Sequence, residues 1–172
     1  MTGVLSARAL AAPGIPFLVS LVLSLSTVGS RVFWQDSGFF LCAAKELGVL
    51  YPPGFVLYVI LARAWAWLFF FLDFTLAVHL FSSFCAALAA AFLGLAARDV
   101  LRSRGPVLGT AGEGDAGPED AIGAAVGTLA AGGFTFWFSG VYAKVYALLF
   151  AATAFLLWRI VLADARRTPR DL

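Results

Sequence analysis

Trp34-Gln-Asp-Ser-Gly-Phe-Phe-Leu-Cys-Ala-Ala-Lys-Glu-Leu-Gly-Val-Leu-Tyr-Pro-Pro-Gly-Phe-Val-Leu57 is the stretch whose reading decides the fold. Acidic, basic, glycine and proline residues gather there between two long apolar runs. In a chain this hydrophobic, polar groups held against a membrane are expensive and mark positions with a task. From Asp36 to about Leu47 the pattern is that of an amphipathic helix. Phe40, Ala43, Ala44 and Leu47 form its apolar stripe, and Lys45 and Glu46 close its polar end. Gly48 suits a C-cap, and Pro52-Pro53 blocks continuation.

The rest of the chain sets the context. Of 172 residues, 62% are hydrophobic, 15% aromatic and only 13% charged. A soluble domain of this size has too much surface to hide so many apolar side chains. The net charge of +2 is small, and no nucleic-acid partner is expected. Cys42 and Cys85 lie far apart, no Cys-x-x-Cys occurs, and His79 is the single histidine, which argues against a zinc site or a disulfide framework.

Four apolar runs, about 15–33, 76–97, 121–138 and 145–163, approach or exceed the roughly 18–20 residues that cross a bilayer core. The first follows Arg8 and reads as a retained signal anchor, since no small-residue cleavage site follows it. A fifth run, about 54–72, is ambiguous, with Arg63 at its centre among aromatics such as Trp65 and Trp67. An unpaired arginine at mid-bilayer costs about 2.5–3.5 kcal/mol on insertion scales. An interfacial or re-entrant helix would instead leave the aromatics at headgroup level and Arg63 in polar surroundings.

Charge placement separates these readings. With four spans, Arg8, the cluster Arg98, Arg102 and Arg104, and the basic residues from Arg159 to Arg170 share one face; a fifth span would carry the cluster to the other. The expected fold is therefore all-α, a polytopic membrane protein forming a single membrane domain over 1–172. It has about four transmembrane helices and both termini cytoplasmic. A long external loop, 34–75, carries membrane-parallel or re-entrant helices, and 98–120 is a flexible cytoplasmic linker. Five spans is the alternative. The Gly- and Pro-rich part of that linker is not a phosphate loop, because no Gly-Lys-Ser/Thr follows. Ala86, Ala90 and Gly94, like Gly123 and Gly127, set small residues on one helix face, the usual means of close helix approach in lipid.

Asp36 has two readings. As a helix N-cap it contributes about 1 kcal/mol. As a general base at the membrane face it takes a proton from an acceptor hydroxyl, an assistance of about 10²–10⁴ in rate. One carboxylate can do both.

Several motifs occur in an order that resembles a known family: Asp36-Ser37-Gly38, Glu46-Leu47-Gly48-Val49, Pro52-Pro53-Gly54-Phe55, Leu57-Tyr58, Leu80-Phe81-Ser82, Phe136-Trp137 and Val145-Tyr146-Ala147-Leu148. They look like the N-terminal part of the protein O-mannosyl-transferase-like family of the GT-C glycosyltransferase superfamily, from about Trp34 to Trp158. The resemblance implies transfer of a sugar, mannose foremost, from a polyprenyl or dolichyl phosphate carrier to an acceptor hydroxyl on the external face. Asp36 would be the catalytic base. Ser37, Tyr51, Arg63, Tyr142, Lys144 and Tyr146 are the candidate donor and acceptor contacts. No metal ligands or cofactor are assigned; the lipid-linked sugar phosphate is the donor substrate, and membrane lipid is a further partner.

The departures are specific. Phe39 stands where the family has an acid, Tyr51 where it has His, Phe55 for Tyr and Val56 for Pro, while His79 replaces Asn and Lys144 replaces Glu. Lys144 could hold the donor phosphate as a point charge, or snorkel at the interface. His79 reads as a hydrogen-bonded packing residue. Family members normally continue through further spans, so the chain is expected to be an N-terminal portion, or a short member whose site a second membrane polypeptide completes. The competing expectation is a non-catalytic membrane subunit that binds lipid-linked sugar or scaffolds a glycan-assembly complex. A transporter ranks below both, since no internal repeat is evident. The expected location is a bacterial cell membrane, or the endoplasmic reticulum of a eukaryote.

Overall fold

The computed structural model describes residues 10–32, 36–50, 55–103 and 117–167, which form seven helices and no strand. These are α1 (Ala11–Leu25), α2 (Ser37–Glu46), α3 (Val56–Leu68), α4 (Phe74–Ser103), α5 (Pro118–Gly132), α6 (Phe134–Val141) and α7 (Val145–Arg167). Trp34, Tyr51, the Pro52-Pro53-Gly54 turn and residues 104–116 of the expected linker lie outside the described residues.

The hub is α4, which touches each of the other six helices. Asp73 starts it: its Oδ1 accepts from the N–H groups of Thr75 and Leu76 at 2.9 and 3.2 Å, as an N-cap does. The small residues foreseen in the sequence bring α1, α4 and α5 together. A β-carbon on Gly94 would stand 2.5 Å from the Ala12 carbonyl oxygen, and one on Gly127 would stand 2.6 Å from that of Ala90. No side chain fits at that approach, so backbone meets backbone.

Contacts along α4 fix the directions of its neighbours. α1 starts beside Gly94 and its chain ends beside His79, whose Nδ1 lies 2.8 Å from the Gly29 carbonyl. α5 starts beside Arg102, and α6 ends beside Ser83. α7 reaches Asp99 through Trp158. From His79 to Asp99 the helical rise is about 30 Å, the thickness of a bilayer's hydrocarbon core. α3 stays at the His79 end, with Arg63, Tyr58 and Trp65 packed against rings between Phe74 and Phe84.

The spans differ in detail from the four expected. α4 and α7 are long and apolar enough to cross a membrane, α5 and α6 cross only as a pair bent by 64°, and α1 and α3 are shorter apolar helices. The 15–33 run yields helix only to Leu25, because Ser26 and Thr27 turn their hydroxyls back onto the Leu23 carbonyl at 2.9 Å and close the end. The 121–138 run breaks at Gly133, which adopts an extended conformation that ends one helix and begins the next. The 76–97 run extends instead to Ser103, so the expected linker gives up its first residues, 98–103, to α4. Polar partners support that extension: Arg102 Nη2 reaches Asp120 Oδ2 at 2.8 Å across to α5.

Candidate functional site

The polar segment of the sequence and the α6–α7 junction share the His79 end of the bundle. Gly29 holds the imidazole of His79, and a carbonyl only accepts, so the ring proton sits on Nδ1. Val32, three residues on, packs against Gly38 in α2. Ser83, one turn along α4 from His79, donates its hydroxyl to the Gly140 carbonyl at 2.8 Å. Beyond Gly140 come Tyr142, Lys144 and Tyr146. Phe40 of α2, Tyr58 of α3 and Phe81 of α4 form a chain of edge-on and tilted ring contacts, 5.2 and 5.8 Å between centroids, that ties α2 and α3 to this end.

Each candidate residue has a distinct setting. Asp36 occupies the N-cap position of α2, half-buried; its carbonyl accepts from the Phe40 N–H at 3.1 Å, and its carboxylate makes no capping bond to the helix. The carboxylate therefore does not do the job that the capping reading gave it. Ser37 is fully buried in the first turn. Tyr142 follows α6, its ring 4.5 Å from that of Phe138. Lys144 is only 6% exposed and sets its ammonium 5.1 Å from the Phe138 ring centre, a cation–π contact. Tyr146 faces outward at 47% exposure. Arg63 stands apart on the exposed face of α3, over the Phe74 ring at 5.8 Å. Tyr51 lies outside the described residues.

Two features of this end were not singled out from the sequence. The Ser37 hydroxyl is buried with no hydrogen-bond partner among the described residues, and the hydroxyls of Tyr58 and Ser82 are buried facing each other. A buried hydroxyl without a partner costs about 1–3 kcal/mol unless water or a ligand meets it. Tyr58 and Ser82 belong to the motifs Leu57-Tyr58 and Leu80-Phe81-Ser82, which carried the signal without a role attached to it. The second feature is strain. Leu47 and Phe55, at φ 53° and 46°, are the non-glycine residues with positive φ among those described. Such strain concentrates at sites where the surroundings over-determine the backbone. The expected C-cap glycine, Gly48, instead donates its N–H to Ala43 from just beyond the left-handed residue.

An apolar groove of about 340 Å³ adjoins these residues, between the start of α3 and the first turns of α7. Phe55, Val56 and Leu57 line one wall, and Val145, Leu148 and Ala152 the other. Among the described residues, no group of three or more His, Cys, Asp or Glu side chains is placed to hold a metal ion.

The fold defines an all-helical polytopic membrane protein, with the described candidate residues apart from Arg63 gathered at the His79 end of its bundle. Residues 36–171 match the family described as the Protein O-mannosyl-transferase TMEM260 N-terminal domain, and the chain belongs to that family. The match begins at Asp36 and takes in the α6–α7 junction, and it supports a membrane glycosyltransferase in general terms. Searches of curated proteins and of solved structures returned no significant match.

Proposed function

We propose that this chain forms part or all of a glycosyltransferase that moves a sugar, mannose foremost, from a polyprenyl or dolichyl phosphate carrier to an acceptor hydroxyl. The observation that carries the reading is the family match, which spans both Asp36 and Lys144. The geometry adds support: a carboxylate not used as a helix cap, a buried lysine and an apolar groove share one end of the bundle. A lipid-linked sugar phosphate has the complementary parts, a tail for the groove and a phosphate for the lysine.

In the proposed reaction the Asp36 carboxylate takes the proton of the acceptor hydroxyl. The hydroxyl oxygen bonds to the anomeric carbon as the bond from that carbon to the phosphate oxygen breaks. Inversion at that carbon follows, and polyprenyl phosphate leaves with the electron pair of the broken bond. Lys144 balances the charge growing on the phosphate, and Tyr142 and Tyr146 contact the donor. Ser37, Tyr51 and Arg63 are secondary contacts. The His79 end faces outward and both termini are cytoplasmic, in a bacterial cell membrane or the endoplasmic reticulum.

The test is transfer from labelled polyprenyl-phosphate mannose in nanodiscs, with wild type beside Asp36→Asn. Turnover that the substitution abolishes supports the assignment; equal turnover in both refutes the role of Asp36. A second reading is a non-catalytic subunit that binds the carrier or completes a partner's site. It is favoured by Phe39 and Lys144, which stand where the resembled family has acids. That reading predicts copurification with a larger membrane enzyme and carrier binding that is indifferent to Asp36→Asn.

A further inference from the structure

The join between α5 and α6 breaks a rule that membrane-spanning chains keep. From Asp120, paired with Arg102 at the Asp99 end, to Gly133 the helical rise is about 20 Å, so the join falls inside a hydrocarbon core about 30 Å thick. Gly127, shortly before it, packs against Ala90 near the middle of α4, which agrees with that depth. Among the described residues two backbone bonds cross the join, Gly133 N–H to the Ala130 carbonyl and Trp137 N–H to the Gly133 carbonyl, both at 3.0 Å. The N–H groups of Phe134, Thr135 and Phe136 and the last carbonyls of α5 have no partner within either helix, and no side chain caps α6.

The join is also open. Gly132, Gly133, Phe134 and Thr135 are exposed, and a β-carbon on Gly132 would meet nothing within 4 Å. Irregular backbone at membrane depth is covered by protein or lines water; it does not face lipid. Water is a poor neighbour here, because Leu129 at 77% and Phe134 at 70% exposure stand on either side. Protein is the cover that remains.

The surface around the join matches itself. Ala121, Ala125, Thr128 and Gly132 recur at i, i+4, i+7 and i+11 on the outer face of α5, apart from Gly123 and Gly127, which meet α1 and α4. That spacing is the seam of a two-helix packing, and small residues let the two backbones approach. At the end of the seam, backbone donors of α6 stand beside backbone acceptors of α5. A patch that carries both is complementary to a copy of itself. Two chains inserted with one topology pair about a two-fold axis normal to the bilayer, which brings equal depths together.

We propose that the outer face of α5 and the α5–α6 join form the interface of a homodimer, in which the Gly132–Thr135 segment of each copy covers that of the other. The interface does not involve Asp36 or Lys144, so it stands or falls separately from the catalytic assignment.

The test is the association of the full chain in liposomes, read by energy transfer between copies labelled at the exposed Cys42 as the protein is diluted with lipid. Transfer should fall reversibly, with a midpoint at a defined mole fraction. Gly132→Leu fills the hollow without meeting anything in its own chain, and should raise that midpoint about tenfold, or about 1.4 kcal/mol. Leu156→Trp, on the exposed face of α7, should leave it unchanged. In a Cys42→Ser background, Ala125→Cys should give a disulfide-linked dimer with copper phenanthroline, and Leu156→Cys should give none. Absence of transfer at every dilution overturns the proposal, as do association indifferent to Gly132→Leu and cross-linking through α7 in place of α5. Rapid modification of Gly132→Cys by a water-soluble thiol reagent in nanodiscs also overturns it, since the join would then line water.

Discussion

The two ends of α4 are built from opposite chemistry. At the Asp99 end, one carboxylate takes both Arg98 Nε at 2.8 Å and the Trp158 indole N–H at 2.9 Å, and Asp120 takes Arg102. One ion pair joins α4 to α5, the Trp158 indole ties α7 to Asp99, and the second oxygen of Asp120 is buried without a partner among the described residues. At the His79 end, the hydroxyls of Ser37, Tyr58 and Ser82 are buried, that of Ser37 without a partner among the described residues, two residues hold left-handed backbone and a lysine is nearly sequestered. Natural chains break local rules mainly at functional sites, where the surrounding fold sustains the cost. The contrast separates an end whose charges hold the bundle together from the end where we propose that the chemistry takes place.

The sharpest way to break that contrast is Asp36→Asn. The change is isosteric and the Asp36 carboxylate makes no capping bond to α2, so thermal unfolding in detergent should move little. Sugar transfer should fall by about 10²–10⁴, the usual contribution of a general base. A large loss of stability would mean that Asp36 belongs to the holding machinery after all.

Asp99→Ala tests the other end. It removes one carboxylate and strands two donors, Arg98 and Trp158, a loss of about 2–3 kcal/mol. Unfolding should shift accordingly, while transfer at a permissive temperature stays near wild type. Transfer that collapses while the protein remains folded would show that the Asp99 end contributes to the chemistry.

How much of this was legible in the sequence follows the same division. Apolar runs and small-residue faces are written in composition and spacing, so the helical membrane architecture and the approach at Gly94 and Gly127 could be read directly. Helix ends could not. Ser26 and Thr27 stop α1 by bonding backward, and those two residues look apolar enough in context to continue the run. The α5–α6 break depends on Gly133, one of many glycines, and only its extended backbone marks it out. For the site, Asp36 and Lys144 stood out as charges in an apolar chain. Tyr58 and Ser82 did not, since the burial of a hydroxyl exists only once the neighbours are in place.

The balance between burial and bonding at the His79 end can be probed with Ser83→Ala. Ser83 is a buried hydroxyl with a partner there, joining α4 to the Gly140 carbonyl of α6 at 2.8 Å. A β-carbon on Gly140 would stand 3.0 Å from that of Ala86, so the two helices are already in close contact and the alanine leaves little void. The loss should be about 1 kcal/mol, the ordinary worth of one internal hydrogen bond. A shift in unfolding well beyond that would mean the Ser83 bond holds the α6–α7 junction in place, and with it Lys144.

Leu47→Gly should give the smallest effect, and it runs in the opposite direction. Leu47 holds φ 53° and ψ 35°, where its β-carbon crowds the following carbonyl at a cost of about 1–2 kcal/mol. Its side chain is 59% exposed, so truncation removes little packing. Glycine relieves the crowding but loses more chain entropy on folding, by roughly 0.5–1 kcal/mol. The net is a gain of about 0.5 kcal/mol, read as a small rise in unfolding temperature. The Gly48 N–H bond to Ala43 survives, so α2 keeps its end and Asp36 its place. If the variant is instead less stable, the exposed Leu47 side chain is buried in lipid or a partner. α2 would then be anchored from outside the bundle as well as through Phe40.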